Sequence, residues 1–240
     1  MGEAFFERGF GKKAMWWGAL AQSIPDIDFI SVLWMSTPDA LLAHRGFTHS
    51  LLFGAMITPV FALVANQVHK PRNIRFTKWL LFFLVEIFLH LLVDGTNNYG
   101  IGWLEPFSHQ RFSFNVMFVA DPFFTLPLFV FFFLLLLKDA YHPLRNLYWQ
   151  LALAIPALYL SYCVVNKGIV NNAIKKNYIH QYTNGGNYFT TPAPFQNYLW
   201  YVVIPVNSGF RIGFVSVFDK KNTVKFHFYR KNERMLDQIA

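Results

Sequence analysis

The sequence predicts an all-α polytopic membrane bundle of about four to five helices, followed by a small β-rich C-terminal extramembrane appendage. The first reason is composition: 54% of the 240 residues are hydrophobic and only 14% are charged, with a mean hydropathy of +0.29. Soluble domains carry about 25% charged residues, so this class is disfavoured. The second reason is that the apolar residues form long uncharged runs, of the length that a helix needs to cross about 30 Å of hydrocarbon.

Four runs have the length and composition of membrane-spanning helices: residues 51–69, 76–93, 116–137 and 147–165. The first of them contains no Asp, Glu, Lys or Arg, whereas the second carries Glu86 and His90 in its interior. A fifth apolar element, residues 14–24, is too short to cross alone before Pro25 and two aspartates interrupt it. It is therefore predicted as a re-entrant or partial helix.

The composition changes after residue 165, where Asn, Lys and Gly become more frequent. Alternation of apolar and polar residues predicts short strands at 199–206, 214–218 and 225–229. We therefore expect two domains, residues 1–165 in the membrane and residues 166–240 outside it.

The charge balance bears on partners and on orientation. The chain has 21 Lys and Arg against 13 Asp and Glu, a formal net charge of +8. Because the chain is so apolar, the expected partner of these positive charges is membrane lipid with anionic headgroups. Nucleic acid is not expected to bind. Basic residues crowd the links that follow the first and third predicted spans, so the positive-inside rule places both links in the cytoplasm. Residues 25–50 and 94–115, which hold most of the unusual polar side chains, are then predicted on the non-cytoplasmic face.

Three ionisable residues of the second predicted span share one helical stripe. Glu86, His90 and Asp94 are spaced by four, so each is displaced by only about 40° from the one before it on an α-helix. Ionisable side chains in a membrane segment are costly and mark functional sites. Asp94 also faces the negative end of the helix dipole, which favours a cation beside it. The stripe predicts a metal-binding face or, as the plainer alternative, interhelical hydrogen bonds or a proton relay.

Two further polar clusters precede the first span. Asp26 and Asp28 follow Pro25, as oxygen ligands at a helix entry do, although an Asp after Pro also caps helices. The segment HRGFTHS, residues 44–50, has a density of imidazole, guanidinium and hydroxyl groups that seldom serves packing. One of its hydroxyls is expected to cap the following span. Arg45 is expected either to bind an anionic phosphate or to anchor at the headgroups.

Apart from Glu86, these clusters provide three carboxylates and three imidazoles, and the single cysteine excludes a Cys-rich metal site. The predicted ligands of one or two divalent ions are Asp26, Asp28, His44, His49, His90 and Asp94. This donor set suits zinc, with manganese as the alternative. A divalent ion with an open position activates water and stabilises the oxygens of a phosphoester, so hydrolysis is the predicted chemistry.

Glu86 and Asp121 are the remaining candidates, and with Arg45 they make up the predicted catalytic residues. Glu86 is predicted to support His90 from one turn deeper in the span, or to make a structural hydrogen bond there. Asp121 precedes Pro122 early in the third span. It is predicted to act near the site or to cap the start of that helix.

These motifs, in this order and spacing, resemble a known family. The segments AQSIPDIDF, HRGFTHS, HLLVD, NNYG with EPFS, and ADPF, within residues 18–124, are similar to those of YdjM/YfhP-type membrane-bound metal-dependent hydrolases, and HRGFTHS is the most specific. The resemblance implies a helical protein of the bacterial inner membrane with its metal at the six residues above and Asp121 close by. Family members begin with a helix that carries a Thr-His pair, so this chain is expected either to start partway through that helix or to lack one ligand.

A more distant similarity is to zinc-dependent phospholipase C, which uses a helical His-x-x-x-Asp pair like His90 and Asp94. This similarity implies a phosphoester or a lipid headgroup as the substrate.

Three functions are compatible with the sequence. The first, which we favour, is an integral-membrane hydrolase that cleaves an ester or phosphoester, with Arg45 steadying the anionic substrate. The second is a transport protein that passes metal ions or protons along the polar stripe and Asp121, although the apolar runs 80–85 and 129–137 argue against a continuous path. The third is a regulatory or structural membrane protein whose tail, from about residue 167, binds a partner.

Overall fold

A computed structural model describes residues 1–6, 8–35, 44–177, 187–219 and 224–231. Its α-helices are α1 Gly2–Phe5, α2 Arg8–Ser23, α3 Leu51–Val68, α4 Phe76–Asp94, α5 Pro122–Leu137 and α6 Arg145–Asn177. Its 3-10 helices are Pro25–Leu33, Phe47–His49 and Lys70–Arg72. Its strands are β1 Phe189–Pro192, β2 Leu199–Val206, β3 Gly209–Ser216 and β4 His227–Arg230. The predicted fold class, a membrane helical bundle followed by a small β-rich segment, is confirmed.

Three helices in the described part of the chain are long and apolar enough to cross a membrane: Leu51–Val68, Phe76–Asp94 and Arg145–Lys176. Predicted spans 51–69 and 76–93 correspond to the first two, and 147–165 lies within the third. Residues 14–24, predicted as a partial helix, are the second half of the longer α2, which ends at Ser23.

The remaining predicted span, 116–137, begins later than expected. The helix α5 starts at Pro122 and has 16 residues, or about 24 Å, which is short of the hydrocarbon thickness. Pro122 occupies the first helical position, where its missing N–H costs nothing. Asp121 accepts a hydrogen bond from the Phe123 backbone N–H at 2.9 Å, so the cap marks the start of the helix. Asp121 thus makes the predicted helix cap.

The described chain forms two compact units, one of Met1–Phe114 with Leu126–Ile155 and one of Asn115–Thr125 with Pro156–Ala240. In the first unit, α3 and α4 pack side by side. Gly54 near the start of α3 lies against Ile87 and Leu91 near the end of α4, so the two helices run antiparallel. The chain segments just before α3 and just after α4 therefore meet at the same end of the pair.

The start of α3 is set by a side-chain cap. The Ser50 hydroxyl accepts a hydrogen bond from the Phe53 backbone N–H at 3.0 Å. Of the two hydroxyls in the HRGFTHS segment, Ser50 thus makes the predicted cap. Thr48 instead donates a hydrogen bond to Asp28.

The opposite end of the α3–α4 pair is closed by aromatic packing. The buried rings there are Phe6, Phe10, Trp79, Phe82 and Phe83. Rings of Trp79 and Phe83 stack with centroids 5.8 Å apart. Aromatic pairs of this kind add about 0.5–1.5 kcal/mol beyond the area that they bury.

The second unit is built around a four-stranded antiparallel meander in the order β1-β2-β3-β4. A two-residue turn joins β2 to β3, where Val206 pairs with Gly209. Alternate residues of β2 are buried with two residues of α6, and the core is Val170, Ile174, Trp200, Val202, Ile204 and Val215. The strands predicted at 199–206, 214–218 and 225–229 overlap β2, β3 and β4. The four residues of β1 were not predicted, because so short an edge strand has little alternation.

Candidate metal centre

The first two carboxylates come from the 3-10 helix Pro25–Leu33. Pro25 opens its first turn, and Asp26 and Asp28 follow within that turn. Carboxylates are favoured there by the unpaired N–H groups at a helix start. The two side chains differ in exposure: Asp26 is 49% exposed, whereas Asp28 is only 11% exposed.

Asp28 organises the segment from His44 to His49. Its Oδ2 accepts hydrogen bonds from the Arg45 backbone N–H at 3.1 Å and from the Thr48 hydroxyl at 2.6 Å. Its Oδ1 lies 2.8 Å from His44 Nδ1. Arg45 has a φ of 63°, a left-handed conformation that costs a residue with a side chain about 1–2 kcal/mol. The contacts to Asp28 hold this conformation, which brings the fully buried His49 into the interior.

The last two donors come from the end of α4. His90 and Asp94 are four residues apart on one face, and Asp94 is the final residue of the helix. Arg45 Nε lies 3.3 Å from Asp94 Oδ2 and supplies the cation that the negative end of the helix dipole favours. The Arg45 guanidinium also donates to Asn97 Oδ1 at 2.8 Å and lies 5.4 Å from the centre of the Tyr99 ring.

One ligand atom from each of four residues lies within 4.8 Å of the other three; the residues are Asp26, His49, His90 and Asp94. His49 Nε2 lies 3.2 Å from Asp26 Oδ1, 3.4 Å from His90 Nε2 and 3.5 Å from Asp94 Oδ2. His90 Nε2 lies 3.8 Å from Asp26 Oδ1 and 3.9 Å from Asp94 Oδ2. The four atoms therefore form a compact cluster, in which five of the six distances are 3.9 Å or less.

The cluster has the dimensions of a tetrahedral metal site. Ligand bonds of about 2.0–2.1 Å place neighbouring ligand atoms about 3.3–3.4 Å apart. The distances given above run from 3.2 to 3.9 Å, so small side-chain adjustments bring all four atoms to one ion. Two imidazole nitrogens and two carboxylate oxygens are a donor set that divalent ions accept. The residues present thus fit a bound divalent metal.

Asp28 contacts the rear of His49. Its Oδ2 lies 3.4 Å from His49 Nδ1, while the other ring nitrogen, Nε2, faces the remaining donors. A carboxylate on the second nitrogen fixes the orientation of a ligating imidazole and raises its basicity. Asp28 and His44 contact each other and do not join the group of four, and their assignment as direct ligands stays a prediction.

Opposite charges pair across the centre. Burial by itself would raise the pKa of Asp26. The hydrogen bond with His49 and the charges of nearby histidines have the larger, opposite effect, so the pKa lies below its ordinary value. The pKa of Asp28 is lowered in the same way, because its bonds with His49, Thr48 and His44 outweigh burial. Burial lowers the pKa of His49, yet hydrogen bonds with Asp26 and Asp28 raise it overall. Asp26 and Asp28 are therefore ionised at neutral pH, and the raised pKa of His49 means that a proton competes with a metal ion for its ring.

Glu86 and Asp121 have other contacts. Glu86 is buried one turn deeper in α4 and accepts a hydrogen bond from the Gln22 side chain at 2.6 Å. Asp121 belongs to the second unit, where its Oδ2 accepts a hydrogen bond from the Tyr159 hydroxyl at 2.8 Å. The catalytic roles proposed for both from the sequence stay predictions.

Asn97 was not among the predicted site residues. It is buried, holds the Arg45 guanidinium, and accepts a further hydrogen bond from the Tyr99 backbone N–H at 2.9 Å. Its backbone carbonyl accepts a hydrogen bond from the Ser113 hydroxyl. The available signal was its position in the NNYG motif, three residues after Asp94.

The sequence of this chain is similar to one protein family and to two bacterial proteins. The model of the family described as YdjM inner membrane protein matches residues 2–170. The inner membrane protein YbcI of Escherichia coli is 33% identical over 97 residues, which are 40% of this chain and 54% of YbcI. The uncharacterized protein YfhP of Bacillus subtilis is 32% identical over 102 residues, which are 41% of this chain and 29% of YfhP.

The chain thus matches about half the length of YbcI and about three tenths of YfhP. No solved structure matches it. The family match covers well over half of the chain, including the whole four-residue cluster. The chain belongs to the YdjM family of inner membrane proteins.

Proposed function

We propose that this protein is an integral-membrane, metal-dependent hydrolase that cleaves an ester or phosphoester. The observation that carries the proposal is the cluster of Asp26, His49, His90 and Asp94, whose ligand atoms all lie within 4.8 Å of one another. Because the donors are two imidazoles and two carboxylates with no thiolate, zinc is the expected ion and manganese the alternative. Such an ion activates water and polarises the oxygen of an ester or phosphoester.

The exposure of the donors sets where a substrate would approach. His49 is fully buried and forms the floor of the centre, whereas Asp26 is half exposed. The open side therefore lies at Asp26. Arg45 is committed to Asp94 and Asn97, which suits it to hold the Asp94 carboxylate in place rather than to bind a substrate phosphate alone.

The depth of the centre supports a substrate at the membrane surface. His49 lies two residues before α3 begins, and Asp94 ends α4, so both donors lie at the end of the membrane-spanning pair. Neighbouring side chains of the 3-10 helix, Ile27, Phe29 and Ile30, are exposed beside the carboxylates. An ester or phosphoester bond of a lipid lies at the same level, between headgroup and acyl chain.

The polar stripe of α4 gives less support to ion transport. The stripe runs from Asp94 to Glu86. Between Glu86 and the start of α4 lie the fully buried rings of Phe83, Phe82 and Trp79. Within the described residues no further ionisable side chain of α4 continues the path inward from Glu86 before Lys78. A centre that is open at one end suits hydrolysis better than a relay across the membrane.

Elemental analysis of detergent-purified protein tests the proposal. We expect near-stoichiometric zinc or manganese in the parent protein and loss of it in His49→Ala and Asp94→Ala. His109→Ala is the matched control, because His109 is an exposed histidine paired with Glu105 outside the cluster. Hydrolysis of phosphoester and lipid substrates is then compared with and without chelator. Absence of bound metal after reconstitution with either ion, or hydrolysis that persists in His49→Ala, would overturn the proposal.

A further inference from the structure

A cavity lies at the end of the α3–α4 pair that is opposite the metal centre. It has a volume of about 480 Å³ and is lined by Phe6, Phe10, Arg72, Asn73, Ile74, Arg75 and Lys78. These residues flank the short link between the end of α3 at Val68 and the start of α4 at Phe76. We call this cavity the basic pocket; the metal centre lies at the opposite end of the same two helices.

The lining of the basic pocket has one sign of charge. Three cations line it, Arg72, Arg75 and Lys78, and none of the lining residues in the described part of the chain is acidic. Among the residues that the structure describes, none accepts a side-chain hydrogen bond or forms an ion pair with these three. Three cations around one cavity, with no anion paired to them among the described residues, attract an anionic ligand.

Two of the cations lie against aromatic rings, and these contacts do not occupy the N–H donors of the cations. The Arg72 guanidinium lies 5.0 Å from the centre of the Phe10 ring, and Lys78 Nζ lies 5.4 Å from the centre of the Phe6 ring. A cation–π contact orients a charged group through the ring face. The hydrogen-bond donors of both side chains remain available to a phosphate.

The start of α4 adds backbone donors to the same place. Arg75 is the N-cap residue of this 19-residue helix, and none of the described side chains caps its first N–H groups. Such groups, together with the helix dipole, favour an anion. Cations, cation–π contacts and helix start thus converge on one cavity.

We propose that the basic pocket binds the phosphate of an anionic membrane phospholipid. The pocket lies at the end of two membrane-spanning helices, where headgroup phosphates are located. Its wall also includes the apolar residues Phe6, Phe10 and Ile74, which suit the glycerol and upper acyl part of a lipid. A volume of about 480 Å³ accommodates a headgroup.

Lipid binding to detergent-purified protein tests the proposal. The probes are dioleoyl phosphatidylglycerol, dioleoyl phosphatidylcholine and inorganic phosphate, measured by native mass spectrometry and by the rise in melting temperature. We expect phosphatidylglycerol to bind in preference to the other two. Each of Arg72→Gln, Arg75→Gln and Lys78→Gln is expected to weaken that binding about fivefold, since a cation near a lipid surface contributes about 1 kcal/mol.

Two further variants separate the pocket from general charge effects. Lys175→Gln/Lys176→Gln removes two exposed charges from the last turn of α6 and should leave lipid binding unchanged. Phe10→Leu keeps every charge but removes the ring beneath Arg72, and should weaken phosphatidylglycerol binding severalfold. Metal content should stay at the parent level in all of these variants.

Three results would overturn the proposal. Equal binding of phosphatidylcholine and phosphatidylglycerol would show that the pocket does not select an anion. Inorganic phosphate binding as tightly as the lipid would assign the pocket to free phosphate. An equal loss in Lys175→Gln/Lys176→Gln would reduce the effect to net charge.

Discussion

Asp28 supports the metal centre without belonging to the four converging donors. It holds His44, the Arg45 backbone and Thr48 on one side and lies behind His49 on the other. At Nδ1 the buried His49 ring contacts Asp28 Oδ2 and the Thr48 hydroxyl, and Thr48 itself donates a hydrogen bond to Asp28. A single carboxylate therefore controls both the loop and one ligand.

Asp28→Asn should weaken zinc binding about 10–100-fold, the usual effect of losing a carboxylate behind a ligating histidine. His49→Ala, which removes a ligand atom, should weaken it more. Competition with a chromophoric zinc chelator measures both affinities. Glu105→Gln alters a similar carboxylate–histidine pair, with His109, outside the centre and should have no effect. Equal affinity of Asp28→Asn and the parent would contradict the orienting role.

Zinc affinity should rise with pH through the pKa of His49. That pKa is raised above the ordinary value of about 6.5, so the ring is protonated at lower pH and must lose its proton before it binds a metal. Asp26 and Asp28, whose pKa values are lowered, stay ionised and add no dependence near neutral pH.

Affinities measured from pH 6 to 8.5, with proton release followed in buffers of different ionisation enthalpy, check this dependence. In Asp28→Asn the midpoint should move to lower pH, because one cause of the raised pKa is gone. A pH-independent affinity would contradict the assignment of His49 as a ligand.

At the scale of elements, the α3–α4 pair holds the two halves of the centre together. His49 precedes α3 and His90 with Asp94 lies near the end of α4, so the spacing of these helices sets the distance between donors. Gly54 makes their close approach possible. A Cβ atom there would lie 3.3 Å from Ile87 Cγ2 and 3.6 Å from Leu91 Cδ1.

Gly54→Leu should force the helices apart, lower stability by about 1–3 kcal/mol and weaken metal binding. Thermal unfolding in detergent and the zinc affinity measure the two effects. Met56→Leu changes an exposed residue of the same helix and should be neutral. A Gly54→Leu protein that melts and binds zinc like the parent would show that helix spacing does not set the centre.

At the scale of the whole molecule, the two ends of the α3–α4 pair differ in chemistry. One end carries the Asp and His cluster, and the other carries the basic pocket. Basic residues near spanning helices favour the cytoplasmic side, so we propose that the metal centre faces the non-cytoplasmic side.

Cysteine labelling in intact bacterial cells tests this orientation. In a Cys163→Ser background, Phe107→Cys lies near the metal-centre end and Tyr141→Cys in the link after α5; the two native side chains are 84% and 77% exposed. A membrane-impermeant maleimide should label Phe107→Cys in intact cells and Tyr141→Cys only after permeabilisation. The reverse pattern would place the metal centre in the cytoplasm.

Much of the fold could be predicted because the local composition of the sequence identifies membrane-spanning helices. The apolar runs of α3 and α4 and the alternation of β2 each depend on residues that are close in sequence. The start of α5 was misplaced because apolar residues continue upstream of Pro122, and composition does not register the cap made by Asp121. The short β1 was missed because it is ordered only by pairing with β2.

The sequence by itself determined which donors are available and that His90 and Asp94 share a helical face, since a spacing of four is a local property of the α-helix. Only the tertiary structure decided which donors converge. His49 and His90 are 41 residues apart, and their Nε2 atoms meet at 3.4 Å because α3 and α4 pack antiparallel. Contacts of the 3-10 helix Pro25–Leu33 with the segment before α3 placed Asp28 behind His49, and packing of α2 against α4 left Glu86 bonded to Gln22. Contacts between distant segments depend on how helices pack, and no local pattern in the chain encodes that.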